Sequence, residues 1–116
     1  MKIKGLKGIE VTKANAVEVV TANRDFFIKM TEKALKDCSK WAKTYEERLD
    51  SRSYYLGRDP SVRKWDKSCY RDAKAETRMN SAYLRELNSG IISKKVALSL
   101  CNLDNGMIPR EFFKGI

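Results

Sequence analysis

Arg63, Lys67, Arg71, Lys74, Arg78 and Arg85 recur at spacings of three, four and seven residues. At 100° per residue they share an arc of roughly 80° on one helix, with no acidic residue inside it. Such a stripe offers cations to phosphates or to an acidic protein surface. It extends over roughly 33 Å, comparable with one turn of duplex DNA. Mixed charge is the usual mark of a merely solvated helix face, and Lys29, Glu32, Lys36, Lys43 and Glu47 show that mixture earlier in the chain. Aromatic rings do not interleave with the stripe: Trp65 and Tyr83 fall on the apolar side, and base stacking is not indicated. No helix-turn-helix, zinc-finger or ribonucleoprotein signature accompanies it.

Other chemistry is poorly provided for. Ser61, Val62, Arg63 and Lys64 spell S-x-x-K, but the companion serine-hydrolase motifs are missing and Ser61 stands where a helix begins. Glu46, Glu47, Asp50, Asp66, Asp72 and Glu76 all lie within reach of basic neighbours, as ion-paired helix faces do. Histidine is absent, which removes the usual general base and the commonest metal ligand. Cys38, Cys69 and Cys101 are too far apart in sequence for a zinc motif, and their odd number does not suggest a disulfide framework. GLKG at residues 5–8 is not a phosphate-binding glycine loop. The expectation is a protein that is not an enzyme, with no catalytic residue, metal, cofactor or small-molecule substrate.

The stripe must be carried by a long helix. After Asp59 and Pro60, a capping side chain and a first-turn proline, Val62, Trp65, Cys69, Ala73, Met79, Tyr83 and Leu87 line one side up to Gly90. A preceding helical face runs through Ala16, Val20, Phe27, Met30, Ala34, Cys38, Trp41, Tyr45, Leu49 and Leu56. Its start is open: residues 12–22 are either helix or, through AVEVV pairing with GIEV, a hairpin after which Asn23 caps a helix from Arg24. A short connection at Gly57–Asp59 folds the two helices back, so that facing residue numbers add to about 116. Ser93 starts a short third helix, and Asp104, Asn105 and Gly106 mark a turn. The fold expected is mainly α: a long antiparallel two-helix hairpin, a short third helix, and extended N- and C-terminal arms able to form short strands, all in one domain, 1–116.

The chain has 116 residues, 24 Lys and Arg against 15 Asp and Glu, and a net charge of +9. That charge is spread along the sequence and favours anionic partners. No stretch reads as a secretion signal or a membrane span, so an intracellular or virion location is expected, with no membrane partner.

The opening MKIKGLKGI before a long amphipathic helix, and the closing IPREFF, resemble the ends of small tail-completion or minor-tail proteins at the head-tail junction of tailed phages. Between them, residues 60–88 read as helix where that family has strands. The resemblance implies a structural component that works by protein contacts in a homo-oligomer or larger assembly, with Ile3, Leu6, Ile9, Pro109, Phe112 and Phe113 as contact residues. The alternative is a basic nucleic-acid-binding or inhibitory accessory protein of host-defence-antagonist type, using the stripe.

Overall fold

The computed structural model describes Lys2, Ile3 and residues 5–116. Met1 and Lys4 of the opening motif lie outside the described residues. The chain divides into two compact units, Met1–Glu32 with Ala82–Met107 and Lys33–Ser81 with Ile108–Ile116. Strands β1 (Lys2–Ile3) and β2 (Leu6–Glu10) are followed by helices α1 (Ala16–Ala22), α2 (Arg24–Asp50), α3 (Pro60–Ser89) and α4 (Lys94–Leu100). Short 3-10 turns occupy Arg52–Tyr55 and Arg110–Phe113. The two-helix hairpin expected of the amphipathic pattern is formed by α2 and α3.

In the first unit, β1 and β2 pair antiparallel, Lys2 opposite Glu10 and Ile3 opposite Leu6. Gly5 turns between them at φ +97°, and a Cβ there would come within 2.8 Å of the Phe26 ring. Asn15 ties the strand to the first helix: its Nδ2 donates to Glu10 O at 2.9 Å and its Oδ1 accepts from Thr12 N at 2.7 Å. The open question about residues 12–22 has a divided answer. Residues 16–22 are helical, yet the chain breaks at Asn23, whose backbone N–H and Nδ2 both donate to Val19 O, and α2 begins at Arg24.

Gly90, at φ +79°, ends α3 by donating to Glu86 O and Leu87 O. Glu86 Oε1 then accepts from Ser93 N at 2.8 Å, and Ser93 Oγ accepts from Val96 N to cap α4. Helix α4 packs on α1, and Tyr83 OH bonds Ser99 Oγ at 2.8 Å. Val11, Ala16, Val20, Phe27, Leu87, Val96, Ala97 and Cys101 are buried in this unit.

In the second unit the helices meet in the expected register. Cys38 Sγ accepts from Thr77 Oγ1 at 3.5 Å, and Arg48 lies 3.9 Å from Asp66. Cys38, Cys69 and Cys101 are all free thiols. The apolar face, however, is rotated from the one the periodicity suggests. Trp41 is 52% exposed, Trp65 69% and Leu56 77%, and Met30, in the first unit, is also exposed.

Close approach of two helices favours small side chains between them, and Cys38 and Ala73 are buried here together with Asp66. Trp41 and Trp65 each precede an inward position, Ala42 and Asp66, by one residue, which turns each indole about 100° out of the interface. Glu76 is exposed as well.

Candidate functional site

Five of the six stripe residues belong to the second unit, and its C-terminal segment engages two of them. Pro109 and Lys114 are extended, and the intervening residues make one 3-10 turn. Arg78 donates from one guanidinium nitrogen to Phe112 O at 3.3 Å and Lys114 O at 2.6 Å. Arg71 lies 4.9 Å from the centre of the Phe113 ring. Lys74 is half-buried and donates to Tyr70 OH at 3.2 Å. Arg63 and Lys67 remain exposed, as does Arg85, which belongs to the first unit. Much of the cationic middle of the stripe is therefore spent on holding the chain's own carboxyl-terminal segment.

The expected protein-contact residues are also partly occupied. Ile3, Leu6 and Ile9 are half-buried in the β-hairpin of the first unit, and Pro109, Phe112 and Phe113 are half-buried in the second. The large apolar side chains that do face solvent in the second unit are Trp41, Leu56 and Trp65. Trp41 stacks on Tyr45, with ring centres 6.0 Å apart and planes 29° from parallel.

A cluster that spacing did not disclose forms around the connection between α2 and α3. Arg48 lies over Tyr45 and Tyr54, at 5.5 and 5.4 Å from their ring centres. Arg58 lies 4.4 Å over Tyr54 and donates from Nε to Tyr54 O at 2.6 Å. Arg63 lies 5.8 Å over Tyr55. The sequence signal was the concentration of Arg and Tyr in SRSYYLGRDP, which an α-helical projection ignores because residues 51–59 are not α-helical.

Asp66 is the anchor of this cluster. Its side chain is 5% exposed, accepts from Tyr55 OH at 2.8 Å and has Arg48 nearby. Burial, reinforced by the hydrogen bond to Asp66, pushes the Tyr55 phenol up to about 12. Tyr45 is raised by burial and by its hydrogen bond with Cys69. Asp59 is held below the usual carboxylate range by the Ser61 backbone N–H, which donates to it at the start of α3. Leu49, Ser51, Arg52, Tyr55 and Arg63 line a cleft of about 360 Å³ beside this anchor.

Among the described residues no group of three or more His, Cys, Asp or Glu side chains is placed to hold a metal, and no helix is long and apolar enough to cross a membrane. Compared with known proteins, the chain matches no family model, no curated sequence and no solved structure.

Proposed function

We propose that the protein is a non-enzymatic interaction component of phage head-tail or tail assembly type, docking on partner proteins through the exposed aromatic side of its helical hairpin. The observation that carries the docking role is the exposure of Trp41 and Trp65, side chains that are highly buried on average and dominate interfaces when they are not. The assembly class rests on the likeness of the two chain ends to tail-completion proteins.

The exposed Arg63, Lys67 and Arg85 favour a second reading, contact with nucleic acid. Solution mass measured over a range of concentrations, for the parent and for W41S/W65S, tests the first reading. Self-association that the double variant loses is the expected result. A parent that stays monomeric and binds a random duplex in a salt-sensitive manner would replace it with the second.

A further inference from the structure

The cleft beside Asp66 has two charged residues in its lining, Arg52 and Arg63, and no carboxylate. Both arginines are exposed, and neither has an acidic partner among the described residues. The remaining lining residues are Leu49, Tyr55 and Ser51, whose hydroxyl lies 3.2 Å from that of Ser53. We propose that this cleft is a binding site for a phosphate group carried on a small organic molecule, a function separate from docking through the tryptophans.

Ligand chemistry follows from the donors. One guanidinium fork satisfies the two oxygens of a carboxylate, whereas two forks and a hydroxyl match the three terminal oxygens of a phosphomonoester. The two arginine charges also balance the roughly −1.5 to −2 charge of such a group near neutral pH. The cleft falls within the volume range of small-molecule sites, and an inorganic phosphate ion would occupy only a fraction of it. Leu49 and the Tyr55 ring supply an apolar wall for what the phosphate is attached to.

That wall is fixed in place. Tyr55 donates to the buried Asp66, which Arg48 approaches from α2, so the ring is held before any ligand arrives. Holding a binding surface in its bound geometry reduces the ordering cost of association. Tyr55 and Asp66 are thus positioning residues for this site, and Arg52, Arg63 and Ser51 are its donors.

Titration of the isotope-labelled full chain, followed by NMR, tests the site with inorganic phosphate, phenyl phosphate, acetate and a short oligonucleotide lacking terminal phosphates. Saturable shifts at Ser51, Arg52, Tyr55 and Arg63 are expected with phosphate and more strongly with phenyl phosphate. R52Q and R63Q should each weaken binding about tenfold or more, the loss typical of a hydrogen bond to a charged group. Y55F retains the ring and both arginines but loses the bond to Asp66, and should bind more weakly than the parent while remaining saturable; binding as tight as the parent's would overturn the positioning role of Tyr55. Oligonucleotide binding that saturates at the same four residues more tightly than phenyl phosphate would overturn the small-molecule assignment in favour of a nucleic-acid backbone. Absence of saturable shifts, equal response to acetate, or shifts unchanged in both arginine variants would overturn the phosphate site itself.

Discussion

The two compact units are held together by different chemistry. In the unit formed by residues 1–32 and 82–107, Phe27, Leu87, Val11, Val20 and Cys101 are almost completely removed from solvent, with Tyr83, Ile92 and Val96 around them. In the unit formed by residues 33–81 and 108–116, the buried apolar side chains among the described residues are Cys38, Ala73 and Ala75. There Tyr45, Tyr54, Tyr55 and Phe113 are engaged by arginines, Trp41, Leu56 and Trp65 face solvent, and the buried carboxylate of Asp66 is bonded by Tyr55. Apolar burial yields stability in proportion to area, whereas part-exposed cation-π and ionic contacts yield little each. The first unit is built to persist, and the second is built to present charged and aromatic groups.

Truncating the core should show the contrast most strongly. Phe27→Ala removes a fully buried ring and is expected to destabilise the protein by about 3–5 kcal/mol, measured by urea denaturation. Trp65→Ser, at an exposed position, should change stability by only about 0.5 kcal/mol or less. Comparable losses from the two substitutions would erase the distinction between the units.

Arg78→Ala probes the contact between α3 and the C-terminal segment. It removes the donor to Phe112 O and Lys114 O. The expected cost is about 1–2 kcal/mol, reduced from that of a fully buried charged hydrogen bond by its solvent access. Limited proteolysis should cut residues 108–116 sooner while the first unit stays protected.

The Tyr55–Asp66 bond gives the second unit an alkaline signature. A free tyrosine ionises near 10 and Tyr55 near about 12, so the folded state holds the proton more tightly. Its contribution is therefore complete below about pH 10 and is lost as pH rises toward 12. The stability difference between the parent and Tyr55→Phe should be flat below pH 10 and shrink above it, by denaturant titration at each pH.

The smallest effect is expected at Glu76. Local desolvation of its carboxyl, on a residue that is exposed as a whole, and then the Asp72 carboxylate one turn earlier, raise its proton affinity. A raised carboxylate favours the folded state in acid, and that advantage disappears as pH rises through its folded value. Glu76→Gln should stabilise the protein at neutral pH by roughly 0.2–0.5 kcal/mol, as removal of a like-charge helical pair does. A loss of stability would point to a favourable contact for this carboxylate instead.

Element types were readable because local rules act locally. Gly90 ends α3, Ser93 caps α4, and Asp59 with Pro60 opens α3, each by bonding its own neighbourhood. The register of the pairing holds with Cys38 against Thr77, although α2 ends at Asp50 rather than Leu56 and the 3-10 turn at Arg52–Tyr55 lengthens the connection expected at Gly57–Asp59. The buried face was less readable: hydropathy assigns Trp41 and Trp65 inward, whereas the buried positions are taken by Cys38, Ala73 and Asp66, the last bonded by Tyr55.

The stripe itself was legible as spacing. Its engagement by Phe112, Phe113 and Lys114 was not, because that contact joins residues more than 30 positions apart. The cleft lined by Arg52 and Arg63 combines a 3-10 turn with a helix, so no single periodicity contains it.

Native-state amide hydrogen exchange on the parent protein tests most directly whether stability resides in one unit and presentation in the other. Amides in residues 16–31 and 83–101 should exchange slowest, through global unfolding. Amides of residues 40–70 should exchange at least about tenfold faster, through local opening. Protection of residues 40–70 equal to or greater than that of the first unit would contradict that division.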